Sequence, residues 1–358
     1  MARPDQNGRR AALRLIAAAG LVAGCGPAVA VGQGAPMKTL PFSALDGWRD
    51  DDHQAGLRAF LAGCGSVRPG LGVTERDWAQ ACAGGADAAA TSRAAARAFL
   101  ETRFAPVALS GAPLFTGYYE PEIDAALAPD DRFRFPLHAL PGGPAPSRAE
   151  IAAGALDGAG LEIAWLDDAA EHYFLHIQGS GRLRLPGGRR LRVRYAGRNG
   201  RDYVSIGKIA RDEGLIPRSQ LTAEGMKTWM RANPGAARRL TDRNPSYIFF
   251  QLAPELEHAP GPVGALGVPL TPLRSAAVDP AHVPLGAPVW IETQASFGPI
   301  RRLFAAQDVG SAIKGPQRAD LFFGGGADAG RVAGEMAGAG RMVLLLPRTA
   351  LRRLGLEG

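Results

Sequence analysis

From residue 114 to residue 347 the chain is a succession of short apolar runs of strand length, broken by turns, with only scattered helix signals. The runs cover residues 114–119, 133–137, 161–166, 173–177, 183–185, 191–195, 247–252, 288–292, 301–307 and 341–347. Short runs rich in aromatic and β-branched side chains, bounded by turn residues, read as strands. A doubly wound nucleotide-binding sheet needs a helix after each strand, and no such alternation is present. A mainly β or α+β protein built on a barrel fits instead. Helix signals stand at 205–213, at 222–233 with Pro234 stopping it, and near 329–337. A capping box, Ser147-Arg148-Ala149-Glu150, opens another at 151–156. Residues 45–104 read as helical, with Trp48, Leu57, Phe60 and Leu61, then Ala95, Phe99 and Leu100, at helical spacing. Thr74 and Thr91 or Ser92 offer N-caps.

At 358 residues the chain is long enough for two domains. Its net charge is +7, with only four lysines, so the surplus is nearly all arginine. Taken alone, that points toward nucleic acid. The N-terminus removes the case. Arg9, Arg10 and Arg14 accompany an apolar stretch, 13–23, too short to span a bilayer and followed by small residues, as in a secretory signal. Leu21-Val22-Ala23-Gly24-Cys25 resembles the lipobox of bacterial lipoproteins. That resemblance implies cleavage before Cys25, its lipidation, and an outer-membrane lipoprotein facing the periplasm. The alternative is an ordinary signal cut near Ala28 or Ala30, which releases a soluble periplasmic protein. Loss of residues 1–24 lowers the charge by three to about +4, and no basic run with interleaved aromatics remains. Nucleic acid is therefore not expected as a partner. Residues 25–40, rich in Gly, Ala, Pro and Val, read as a flexible tether. Cys64 and Cys82 share the N-terminal helical region, where an oxidising compartment permits a disulfide; the alternative is two buried thiols. Neither has metal-ligand neighbours, so no metal is expected.

The stretch Gln307-Asp308-Val309-Gly310 through Lys314-Gly315-Pro316 to Asp320 is the most informative. An apolar strand runs into Asp308, and Gly310 then turns the chain, which lets the carboxylate project into a groove. Asp320 opens Leu321-Phe322-Phe323-Gly324, and Asp279-Pro280 begins a turn leading to the strand at Val289. Each aspartate alone reads as a turn or capping residue.

Together, Asp279-Pro-Ala-His-Val-Pro-Leu-Gly286, Ala306-Gln-Asp-Val-Gly310, Ile313-Lys-Gly315 and Ala319-Asp-Leu321 resemble the three-aspartate "3D" domain. Upstream, Phe115-Thr-Gly-Tyr-Tyr-Glu-Pro121, Pro146-Ser-Arg-Ala-Glu-Ile151, Ile177-Gln-Gly-Ser-Gly181, Tyr195-Ala-Gly-Arg-Asn-Gly200, Ser205-Ile-Gly-Lys208 and Asn244-Pro-Ser-Tyr-Ile-Phe-Phe250 resemble the membrane-bound lytic murein transglycosylase A family. The resemblance covers roughly residues 110–347. It implies a double-psi β-barrel domain with N-terminal helices, formed by 41–118 and 244–347, a second β-rich domain inserted at 119–243, and a C-terminal tail at 348–358. A groove between the domains would hold a peptidoglycan glycan strand.

The resemblance further implies cleavage between N-acetylmuramic acid and N-acetylglucosamine without water, the muramic 6-hydroxyl closing a 1,6-anhydro ring. An internal nucleophile needs one carboxyl as acid and base rather than a pair. Asp308 is the expected catalytic group, and no cofactor is required. Its carboxyl must then titrate well above the ordinary value of about 3.9. Asp320 supplies a neighbouring charge or holds the loop, and Asp279 is assigned to the loop. Tyr118, Gln178, Ser180 and Lys314 are candidate substrate contacts, with Tyr118 stacking on a sugar or packing in the core. A non-catalytic peptidoglycan-binding lipoprotein and a hydrolytic glycosidase are the rival functions.

Two features are set aside. His172 and His176, read on a strand, would lie about 13 Å apart at roughly 3.3 Å per residue and share no metal. Gly179-Ser-Gly181 and the glycines at 324–326 are not placed as phosphate loops.

Overall fold

The computed structural model describes residues 37–310 and 313–356. The expected signal at 1–24, the lipobox Cys25 and most of the tether lie outside the described residues. Two compact units are present: Glu120–Pro262, and a unit formed by the chain on either side of it.

In the flanking unit the chain begins with β1 (Lys38–Thr39), which pairs antiparallel with β2 (Phe104–Ala108), so residues expected in the tether already belong to a sheet. Between them run α1 (His53–Ala62), α2 (Glu75–Cys82), α3 (Gly85–Thr91) and α4 (Arg93–Arg103). Their starts are set by side chains that satisfy orphan amides: Asp52 for α1, a Thr74/Asp77 capping box for α2, and Ser92 rather than Thr91 for α4. Cys64 and Cys82 are joined in a disulfide. Leu57, Phe60, Trp78 and Leu100 are fully buried on this face. Each large apolar side chain removed from water contributes about 1.5–3 kcal/mol. β3 (Leu114–Glu120) follows.

The Glu120–Pro262 unit holds β4 (Glu122–Ala126), β5 (Phe135–His138), α5 (Arg148–Ala152), β6 (Glu162–Leu166), α6 (Ala169–Gln178), β7 (Ser180–Arg184) and β8 (Arg190–Arg198). It continues through α7 (Ile206–Asp212), α8 (Ala223–Ala232), α9 (Pro234–Thr241) and β9 (Ile248–Leu252). Its six strands lie in the order β5-β6-β4-β7-β8-β9 over a core that includes Ile123, Leu137, Leu166, Leu183, Val193 and Phe250. The insert ends at Pro262 rather than 243, because β9 adds to β8 with Val193 opposite Leu252. Beyond β9, Arg192 donates to the carbonyls of Leu256 and Ala259 while pairing with the buried Glu120. Residues 173–177 are helical, not a strand. Asp168 caps α6 by accepting from the amides of Ala170 and Glu171, and Gly179, at φ 80°, closes it in the left-handed region. Pro234 stops α8 but also opens α9 as its first residue, where its missing N–H costs nothing.

The chain returns to the flanking unit as β10 (Ser275–Val278), β11 (Pro288–Ala295), β12 (Gly298–Asp308), β13 (Arg318–Gly325), α10 (Ala327–Gly334), β14 (Ala337–Gly338), β15 (Gly340–Pro347) and α11 (Arg348–Leu351). Nine strands form one sheet, ordered β1-β2-β15-β11-β12-β10-β13-β3-β14, and the paired strands close no ring among the described residues. β10 is the pivot, parallel to β12 and antiparallel to β13. The expected tail is structured at its start, where Ala350 and Leu351 of α11 are buried in the core.

Candidate active site

β12 carries five buried residues, Leu303 to Gln307, into Asp308 at its end, so a carboxylate is delivered by a rigid strand rather than a loop. Asp308 lies opposite Ala277 of β10, and Ala277 lies opposite Asp320 of β13 on its other side. The two aspartates therefore share a face across a small residue, with backbones about 10 Å apart at roughly 4.8 Å per strand. β3 lies beyond β13 and contributes Thr116 and Tyr118, two residues apart and so on one face.

Three donors meet Asp308. Its Oδ1 accepts from the amides of Ala265 and Val309, each at 3.0 Å, and its Oδ2 accepts from the Tyr118 hydroxyl at 3.0 Å. The Ala265 amide is within reach because residue 264 is glycine; a Cβ there would sit 2.5 Å from the Gln307 carbonyl oxygen. Burial pushes the Asp308 carboxyl above its ordinary value, and the negative charge of Asp320 adds to the rise; the three hydrogen bonds oppose it without cancelling it. Burial likewise raises Asp320, against a hydrogen bond from Thr116 and the charge of Arg318. The Tyr118 hydroxyl, desolvated and beside the Asp308 carboxylate, is held well above its usual range and stays protonated. Its ring lies 5.3 Å from that of Phe322. Two carboxyls raised together on one partly open face mark a candidate site for acid chemistry.

The structure thus brings together Asp308, Tyr118 and Asp320. Asp279 accepts from the amides of Ala281 and Gly315 at 3.2 and 2.8 Å, so it ties the loop after β12 to the turn after β10. Lys314, on that loop, is exposed and has no ion-pair partner among the described residues. Gln178 is exposed at the end of α6 and Ser180 half-buried at the start of β7, both in the Glu120–Pro262 unit. Sequence reading missed Thr116, Arg318 and the Ala265 amide. Thr116 sits inside the Phe115–Pro121 motif and Arg318 two residues before Asp320, which were the available signals.

A second titratable cluster lies in the Glu120–Pro262 unit. Because α6 is a helix, His172 and His176 share a face with ring centroids 4.7 Å apart, which overturns the separation expected from a strand. His172 Nε2 lies 2.9 Å from the Pro136 carbonyl, and His138 Nδ1 lies 2.9 Å from the Tyr247 hydroxyl. Both ring nitrogens of buried His176 lack a hydrogen-bond partner among the described residues. The Arg148 guanidinium stands over the rings of Tyr173 and Tyr247, 4.8 and 5.2 Å from their centroids. No group of three or more His, Cys, Asp or Glu placed to hold a metal occurs among the described residues.

Residues 142–251 match the family model described as the MltA specific insert domain, and residues 274–346 match that of the 3D domain. The membrane-bound lytic murein transglycosylase A of Vibrio cholerae is 36% identical over 244 residues, 65% of each chain; the alignment therefore spans just under two thirds of that relative's length. The crystal structure of MltA from Neisseria gonorrhoeae superposes with a TM-score of 0.78 at 31% identity, covering 90% of this chain and 98% of that one. Escherichia coli MltA with bound chitohexaose gives a TM-score of 0.68 at 26% identity, covering 87% and 95%. Identity above 30% across nearly the whole of a solved relative, with both domain models matched in order, places this chain in the membrane-bound lytic murein transglycosylase A family.

Proposed function

We propose that the protein is a peptidoglycan lytic transglycosylase that cleaves the bond between N-acetylmuramic acid and N-acetylglucosamine and leaves 1,6-anhydro ends, with Asp308 as the single acid and base. The observation that carries this reading is a strand-end carboxyl raised by burial and held at both oxygens. Oδ1 faces two backbone amides, which only donate, so the acid proton belongs on Oδ2. From there it passes to the glycosidic oxygen as the bond to the anomeric carbon breaks. The carboxylate left behind then takes the proton of the muramic 6-hydroxyl as that oxygen closes on the same carbon. The proton lost by Asp308 is regained within one turnover, and no water is consumed. The nucleophile belongs to the substrate, so proximity is built in and one carboxyl suffices. Tyr118 positions Oδ2 and offers a ring face to a sugar, while Gln178, Ser180 and Lys314 serve as further substrate contacts. Binding of chitohexaose by the E. coli relative supports a glycan substrate here.

The double-psi barrel belongs to the same proposal. In a flat sheet β3 and β12, three strands apart, would be separated by about 14 Å. The Tyr118–Asp308 contact across that interval supports a sheet curled toward closure. Membrane attachment is proposed through a lipid on Cys25, on the lipobox-like Leu21-Val22-Ala23-Gly24-Cys25 and because the relatives are named as membrane-bound. The outer membrane, on its periplasmic side, is the proposed location. Digestion of purified murein with the wild type and Asp308→Asn, followed by mass analysis, tests the function. Anhydro-muropeptides from the wild type alone are expected. Unchanged sacculi would indicate a binding protein, and reducing ends a hydrolase.

A further inference from the structure

The mechanism leaves one arranged group unused. The Thr116 hydroxyl donates to Asp320 Oδ1 at 2.5 Å and accepts from Arg318 Nη2 at 2.9 Å. A guanidinium has no acceptor, so Arg318 fixes the direction of this chain: the single hydroxyl proton must point at Asp320. Arg318 is itself pinned across the strands, with Nη1 donating to the carbonyls of Leu114 at 3.2 Å and Ala319 at 2.6 Å. A hydroxyl locked as a donor favours a carboxylate over a carboxylic acid, and Arg318 adds its charge to the same end. Across Ala277 stands Asp308.

We propose that Arg318 is a positioning residue that, through Thr116, holds Asp320 as an anion and thereby keeps the proton on Asp308 between turnovers. This rests on the reading of Asp308 as the acid and extends it to residues that touch no substrate. Asp320 then acts by its charge, with its Oδ1 held by Thr116. The titratable groups facing the pair are Tyr118 from β3, Arg318 from β13, and each aspartate toward the other from β12 and β13; β10 presents Ala277. Lys314 on the loop after β12 is the nearest exposed cation in sequence.

The sign follows directly. Without Arg318, Asp320 takes up a proton more readily, its push on Asp308 weakens, and Asp308 loses its proton at lower pH. Activity that needs protonated Asp308 should then fall away earlier on the alkaline side. The test is the pH profile of kcat/KM on purified glycan strands for Arg318→Gln, Thr116→Val, Thr116→Ser and Asp320→Asn, with circular dichroism to establish folding. The alkaline limb should move to lower pH by about half to one unit in Arg318→Gln, Thr116→Val and Asp320→Asn, a loss of up to about tenfold above the limb. Thr116→Ser should keep the native limb. Arg318→Gln should add no shift in the Asp320→Asn background, since the residue acts through that carboxylate. A folded Arg318→Gln with an unmoved limb, or an additive shift in the double variant, overturns the inference. The reading of Asp308 itself stands or falls separately, on the activity of Asp308→Asn.

Discussion

The molecule buries two clusters of titratable side chains, and they are built on opposite plans. Around Asp308 the desolvated groups are carboxyls, each given a donor: two amides and a phenol for Asp308, and the Thr116 hydroxyl for Asp320, with the charge of Arg318 nearby. Around His176 the buried groups are histidines beside a cation, Arg148, whose guanidinium donates to the Ser246 carbonyl and, among the described residues, to no carboxylate. Burial raises the first pair and lowers the second set: His172 is pushed down to about 4 and His176 well below its usual value. Desolvation disfavours charge in both places, and so it makes the carboxyls hold a proton more tightly than a free aspartate does. The histidines instead lose a proton they would otherwise share, and become neutral packing groups. A perturbed titration therefore marks chemistry only where the group also reaches an open face, as half-buried Asp308 does and His176 does not.

The sharpest way to break this contrast is to neutralise one cluster at a time. Asp308→Asn should lower murein release by about 10²–10⁴-fold while leaving sacculus binding and the folded spectrum intact. Loss of activity on a comparable scale from His176→Phe would erase the distinction, and murein-release assays on both variants decide it.

Acid is the next lever. His172 titrates at about 4 when folded and near 6.5 when unfolded, so the unfolded chain binds the extra proton between those values. Its contribution to stability is complete above pH 6.5 and is lost as pH falls toward 4, amounting to about 3 kcal/mol. His176, shifted in the same direction, adds to the loss. Hydrogen exchange followed by mass spectrometry from pH 7 to 4 should show α6, β5 and β9 opening before β11, β12 and β15. Simultaneous opening of both units would contradict the comparison. His176→Phe, which removes two buried nitrogens without a hydrogen-bond partner among the described residues, should move the acid-unfolding midpoint of the Glu120–Pro262 unit to lower pH.

The smallest effect falls on the phenol. Tyr118→Phe removes a donor worth about 1 kcal/mol to the Asp308 carboxylate. That change should move the alkaline limb of the pH profile upward, opposite to Arg318→Gln, with a fall in kcat of up to about tenfold. A downward shift would mean that Tyr118 stabilises the acid form instead.

Much of this site was legible before any coordinates. Asp308 ends an apolar run and precedes Val309-Gly310, so both its strand and its turn were visible, and Tyr118 stood in an aromatic strand motif. Thr116 and Arg318 were not legible as partners of Asp320, because Thr116 is 204 residues away from it and the contact exists only once β3 lies beside β13. The helix α6 was missed for a local reason: Tyr173-Phe-Leu-His-Ile177 is too short to show a period, and the deciding signal, Asp168 ahead of Ala169, stood outside the run. At Pro234 one residue served two helices, and the limit of the insert depended on β9 joining β8, a long-range pairing that composition does not record.

The central proposal is that one carboxyl, Asp308, drives a ring closure that spends no water, and oxygen isotope transfer tests it most directly. Murein digested by the wild-type protein in ¹⁸O-labelled water should yield muramic ends that are anhydro and carry no label. Labelled reducing ends, formed at a rate that depends on Asp308, would show water as the nucleophile and contradict it.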